Sequence, residues 1–135
     1  MEYAVVDTEE IPKVDLDEAL NGMFDPDVRR VQAELGTENL VASLWYFEEG
    51  EEMVHHEHED QEELYYVLDG EFEVKLGDAG ETETVVAEEG TFFAAGPGVG
   101  HGHVCTSADG GVVLAVGSPN VTDINPETYT PVDEA

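Results

Sequence analysis

Apolar and polar residues alternate with a period of two along most of this chain, and glycine, proline, asparagine and aspartate interrupt the alternation at short intervals. Residues two apart in a strand share a face, so the pattern predicts many short strands. A strand pair is expected over residues 28–35 and 40–47, joined around Gly36-Thr37-Glu38-Asn39. Strands over 63–68, 71–76 and 83–87 follow, with turns at Asp69-Gly70 and at 77–80, and then strands over 91–94, 102–106 and 112–116. Residues 3–6 read as one more short strand. The one plausible helix is 15–23 (DLDEALNGM), ended by Asn21-Gly22, and Asp25-Pro26-Asp27 is a turn signal. From Ser118 the chain carries Pro119, Pro126 and Pro131 and reads as an irregular strap. Many short strands with almost no helix predict an all-β fold, a sandwich or a barrel.

The length, 135 residues, is that of one domain. Such a chain buries about two thirds of the surface it would expose unfolded, enough for a core without disulfides. A single cysteine, Cys105, excludes an intramolecular disulfide. Charge changes the picture more. Asp and Glu number 33 against 4 Lys and Arg, a formal net charge of −29. Lys13, Arg29, Arg30 and Lys75 are the only Lys or Arg residues, which argues against nucleic acid and against anionic membranes as partners. The carboxylates are spread among apolar runs, so a folded domain is expected rather than disorder. Self-repulsion in a body this acidic is large at low salt and is screened at high salt. The composition is therefore read as that of a cytoplasmic protein from a salt-accumulating organism. The first residues carry no basic segment, and no apolar run approaches the roughly 20 residues of a membrane span.

All five histidines fall in two places: His55, His56 and His58, then His101 and His103. In a strand His56 and His58 share a face and His55 points the other way. His55 is read as a surface residue. Glu63 opens the next strand. Two imidazoles and a carboxylate converging from adjacent strands suit a borderline divalent metal, and His101 is available as a third imidazole from a distant strand. His103 shares the face of His101 if that strand is regular. A shifted 96–100 loop would make His103 the ligand instead; otherwise it stands near the metal as an acid/base group.

These residues resemble the cupins, small β-barrels of jelly-roll type. The first cupin motif, G-x5-H-x-H-x4-E-x6-G, is matched at every fixed position by Gly50, His56, His58, Glu63 and Gly70. The second, G-x5-P-x-G-x2-H-x3-N, is met by Gly90, Gly98 and His101, with the proline one place late at Pro97 and Cys105 in place of the final asparagine. The resemblance implies a single-domain cupin barrel over 28–118, flanked by an N-terminal arm (1–27) and a C-terminal strap (119–135). It implies one divalent metal (iron, manganese, nickel, copper or zinc) held by His56, His58, Glu63 and His101. Three neutral imidazoles and one carboxylate leave a formal +1 on a divalent centre, with room for an anionic substrate oxygen. A homodimer is expected from the family's habit and from residues 3–6, which could pair with a sheet edge.

Other residues take plainer readings. Cys105 falls on the inward face as a small buried residue. Tyr65 shares the face of Glu63 and is either core or a substrate contact. Trp45 and Phe47, and Phe92 with Phe93, read as core or dimer contact. Residues 48–63 hold nine carboxylates in sixteen positions, and they lack calcium-loop spacing, so all but Glu63 read as a solvated face. Gly96, Gly98, Gly100 and Gly102 read as a tight, close-packed loop, since no strand-to-helix turn precedes them. No nucleophile elbow surrounds Ser43, Ser107 or Ser118, and no phosphate loop is present.

Fold does not specify function. The first expectation is a metal-dependent enzyme, of oxygenase or isomerase type, on a small polar metabolite, with His103 or Tyr65 handling protons. The second is a non-catalytic module that binds a metal or small ligand. A weaker third, a relative of sugar-nucleotide epimerases, needs more basic residues than the chain has.

Overall fold

The computed structural model describes residues 2–15, 26–121 and 129–135. Ten strands run in the order β1 (Lys13–Asp15), β2 (Asp27–Arg30), β3 (Val41–Phe47), β4 (Glu52–His56), β5 (Glu62–Asp69), β6 (Glu71–Leu76), β7 (Glu83–Glu88), β8 (Phe92–Ala95), β9 (His101–Cys105) and β10 (Gly111–Ser118). They form a six-stranded sheet, β1-β2-β3-β10-β5-β8, and a four-stranded sheet, β4-β9-β6-β7. From β3 onward the chain changes sheet at nearly every connection, as the expected jelly roll requires. Segments distant in sequence therefore meet between the sheets.

The period-two pattern sorts side chains between inside and outside. Phe47, Val67, Phe72, Val74 and Val113 are at most 4% exposed and share one core with Met53, Tyr65, Ala87, Cys105 and Ala115. Each fully buried large apolar side chain stabilises by roughly 1.5–3 kcal/mol. Phe47 and Phe72 meet edge-to-face across the sheets, with ring centroids 5.0 Å apart. Trp45 and Phe93 pack against this core, whereas Phe92 stays 64% exposed on the outside.

Four expectations change. Residues 3–6 form no strand: Tyr3 and Val5 are exposed, and β1 takes the sheet edge beside β2. The strand expected over 28–35 ends at Arg30, where the helix formers of α1 (Val31–Leu35) take over. Gly36, in the left-handed region at φ 74°, closes α1 by donating its N–H to the Gln32 carbonyl. β4 adds a strand not singled out by alternation alone. His55 is not a surface residue but 3% exposed, donating from Nε2 to the Gly77 carbonyl at 2.8 Å. The helix expected over 15–23 lies outside the described residues except for Asp15, which belongs to β1; Asp25 of the expected turn lies outside them too.

Two glycines of the expected close-packed loop show why they are glycine. A Cβ on Gly100 would lie 2.4 Å from the His55 ring, and one on Gly102 would lie 2.7 Å from the His55 backbone. At the far end of the chain, Thr130 bridges to His55 and Val132 is 1% exposed. The last residues thus lie against the four-stranded sheet.

Candidate metal centre

His56 ends β4 and pairs in register with His101, which begins β9. His58 lies just beyond β4, where its carbonyl accepts the Gly98 N–H at 2.6 Å. Glu63 stands near the start of β5, on the other sheet. Three imidazoles from one side and a carboxylate from the other converge at one end of the barrel. Their ligand atoms all lie within 4.8 Å of one another.

Hydrogen bonds set the histidine tautomers. Nδ1 of His56 donates to the Val54 carbonyl at 2.7 Å, and Nδ1 of His101 donates to the Val99 carbonyl at 3.0 Å. A carbonyl only accepts, so each Nδ1 carries the hydrogen and the neutral ring turns a bare Nε2 lone pair inward. Nε2 of His56 lies 3.2 Å from Nε2 of His58. Oε1 of Glu63 lies 2.7 Å from His58 Nε2, 3.0 Å from His101 Nε2 and 3.9 Å from His56 Nε2. Ligands about 2.1 Å from one ion stand about 3.0 Å apart at right angles and about 4.2 Å apart when opposed. The four separations above, 2.7 to 3.9 Å, lie close to that range. Crowded lone pairs repel unless a cation or protons lie between them, and three nitrogens with one carboxylate oxygen suit a borderline divalent ion. The residues present therefore fit the metal.

Burial decides the charge states nearby. Burial alone would raise the Glu63 carboxyl, but without a metal the His101 and His58 rings, when they also carry a proton on Nε2, donate hydrogen bonds and place positive charge beside it, and these hold it well below the usual carboxylate range. Burial first, then the neighbouring charge of His101, pushes His56 down to about 4. The Tyr65 hydroxyl is raised well above the usual phenol range by burial, by the Glu63 charge and by its hydrogen bond to Glu63.

His103 lies outside the four-residue group. It is fully buried, and both ring nitrogens lack hydrogen-bond partners. Phe47, Phe72, Phe93 and Tyr65 surround it, with ring centroids 5.3–5.7 Å away. His101, not His103, therefore joins the group that could hold a metal ion. Tyr65 stacks on Phe93 at 4.8 Å and reaches the wall of a cavity of about 330 Å³. His56, His58, Glu63, Trp45 and Met53 line the same cavity. Cys105, 1% exposed, is a core residue.

Three cavity residues escape a reading by motif: Tyr129, Gln61 and Arg30. The Tyr129 ring stands 5.8 Å from His56, delivered by the C-terminal segment, and no local signal announces it. Gln61 is 6% exposed and donates to the Pro119 carbonyl; a Cβ on Gly117 would collide with it. Arg30 shares strand parity with buried Val28, which is a usable signal.

A family model described as Cupin domain matches residues 43–117, more than half of the chain. No curated protein matches it. Among solved structures, KdgF from a Halomonas species superposes with a TM-score of 0.71 at 24% identity, covering 87% of this chain and 96% of its own. An RmlC-like cupin from Shewanella frigidimarina gives a TM-score of 0.69 at 25% identity, over 91% and 98%. Oxalate decarboxylase of Bacillus subtilis, a protein with Mn(II) centres, gives 0.68 at 18% identity. The match covers 94% of this chain but 32% of the decarboxylase, so this chain spans about a third of that protein.

Proposed function

The chain belongs to the cupin domain family, and on that premise we propose that it is a metal-dependent enzyme acting on a small polar metabolite, of oxygenase or isomerase type. The closeness of His56, His58, Glu63 and His101 carries this reading. A divalent ion bound there supplies Lewis-acid or redox chemistry toward a substrate oxygen. The Mn(II) centres of the decarboxylase support manganese as the first ion to test.

The chain's own residues do the rest. The Val54 and Val99 carbonyls fix the His56 and His101 rings so that Nε2 points inward. Trp45 and Met53 wall off water. Tyr65 keeps its proton and presents it at the cavity wall beside Glu63, as the proton-handling group. His103, behind Tyr65 and away from the cavity lining, holds that ring in place. Such a positioning residue predicts that His103→Ala lowers turnover and shifts its pH profile while the metal stays bound. A non-catalytic binding module has no turnover to lose. The test is a screen of small hydroxy- and keto-acids against manganese-loaded protein. Conversion that Glu63→Ala abolishes supports the enzyme, and binding without conversion supports the module.

We infer a homodimer as well. The outer face of the six-stranded sheet carries an apolar row, Leu44-Leu114-Tyr66-Phe92, in direct register. Ala42-Val116-Leu64-Ala94 runs beside it. Two copies at −29 each meet most readily where carboxylates are absent. Sedimentation of wild type against Tyr66→Glu tests this: a monomer in the variant alone supports the interface, and a monomeric wild type removes it. No helix of the described residues is long and apolar enough to cross a membrane, and we infer a cytoplasmic setting from the acidic, lysine-poor composition.

A further inference from the structure

The cavity above the four ligand residues is chemically unlike the rest of this chain. Among the described residues, Glu63 is the one acidic residue lining it, and Arg30 brings one of the four Lys and Arg side chains to the same cavity. A second cavity, beside Tyr46, shows the contrast: Asp15, Asp27, Glu48, Glu51, Asp69 and Asp109 all line it. Among the described residues, six carboxylates line one hollow and Glu63 alone lines the other.

The register places Arg30, itself exposed, at the rim of this cavity on the side of the inner sheet face. On the inner face of the six-stranded sheet, Arg30 pairs with Ser43, Ser43 with Ala115 and Ala115 with Tyr65. The adjacent row runs from Val41 through Gly117 to Glu63. Arg30 thus stands at one end of a trough and the Glu63-Tyr65 pair at the other. The floor between them is Ser43, Ala115 and Gly117, three of the shortest side chains available. Three strand steps of about 4.8 Å put the ends roughly 14 Å apart along the curved sheet. The long arginine stem shortens that to a gap of roughly 5–8 Å for a ligand to fill. Arg29, one residue earlier, points the other way and is taken up by Tyr46 and Glu9.

We propose that the cavity takes a small carboxylic acid that places one oxygen function at the four-residue centre and its carboxylate, some four to six bonds away, on Arg30. The volume, about 330 Å³, lies at the small end of ligand pockets. The guanidinium suits a carboxylate because it offers two parallel donors. A local cation also offsets the repulsion that a chain at −29 exerts on an incoming anion. This proposal rests on the reading of His56, His58, Glu63 and His101 as a metal centre.

The test is calorimetric titration of manganese-loaded protein with linear dicarboxylates of three to six carbons and with their monoamides, manganese content being measured on every sample. A monoamide keeps one carboxylate for the centre and offers Arg30 a neutral group. Wild type is expected to bind the best diacid about tenfold more tightly than its monoamide. Arg30→Gln is expected to bring that ratio to about one with manganese content unchanged, and Arg30→Lys to retain part of it. The same preference in Arg30→Gln, or no diacid binding by manganese-loaded wild type, overturns the proposal while leaving the metal centre standing. Wild type that takes up no manganese overturns the centre and this proposal with it.

Discussion

Nε2 of His101 on β9 lies 3.0 Å from Oε1 of Glu63 on β5. The contact ties the four-stranded sheet to the six-stranded one at the end of the barrel where the ligand residues gather. An ion bound at that point joins both sheets, and a ligand that binds only the folded state stabilises it by mass action. Metal at about a hundred times its dissociation constant adds about 2.7 kcal/mol. Chelation is therefore expected to lower the Tm of metal-loaded wild type by about 10 °C and to leave that of His101→Ala unchanged. Scanning calorimetry with and without chelator measures it.

Acid should destabilise the metal-free protein well before carboxylates titrate. Burial, reinforced by neighbouring imidazoles, pushes His56 down to about 4 and His103 down to about 3. In the unfolded chain both titrate near 6.5. Below 6.5 the unfolded chain binds protons that the folded one refuses, so stability is highest above 6.5 and falls as pH drops toward 4. The slope is at most about 1.4 kcal/mol per pH unit for each group. Denaturant unfolding from pH 7 to pH 5 is expected to show this loss, and His103→Leu is expected to show a shallower one.

The two motif glycines on either side of β6 and β7 should respond differently to alanine. Both take positive φ, 86° at Gly70 and 90° at Gly90. A Cβ on Gly70 would lie 2.5 Å from the Gly110 carbonyl oxygen and 2.8 Å from the Gly111 Cα, whereas one on Gly90 meets nothing within 4 Å. Gly90→Ala then carries only the left-handed backbone cost, about 1–2 kcal/mol. Gly70→Ala adds a backbone collision and is expected to lose at least about 3 kcal/mol or fail to fold. Urea midpoints of the two variants separate the cases.

Stability should also rise with salt. A net charge of −29 repels itself over a Debye length of about 10 Å at 0.1 M, which shrinks to about 3 Å at 1 M. The Tm is expected to climb between 0.1 M and 2 M potassium chloride. A flat or falling Tm contradicts the salt-adapted reading.

The clustering of the candidate ligand residues was legible because their spacing obeys local rules. His56 and His101 sit at strand ends with Nδ1 on a carbonyl two residues back, and Glu63 is the second residue of the strand that follows a short loop. Local spacing says nothing of what folds over the site. Tyr129 arrives from 66 positions beyond Glu63. Arg30 enters the cavity because β2 pairs with β3 and then gives way to α1. His55 faces away from the centre, as strand parity requires, yet it is buried because Gly100 and Gly102 leave room for it. Parity decides direction, and only the packing partner decides whether that direction is solvent.

The proposed metal centre has His56, His58, Glu63 and His101 hold one divalent ion. Elemental analysis of protein purified in high salt, without chelator or affinity resin, tests it most directly, beside Glu63→Ala and His101→Ala. About one equivalent of a divalent transition metal is expected in wild type, and loss of it in both variants. Wild type that is folded, metal-free and unable to take up any divalent ion contradicts it.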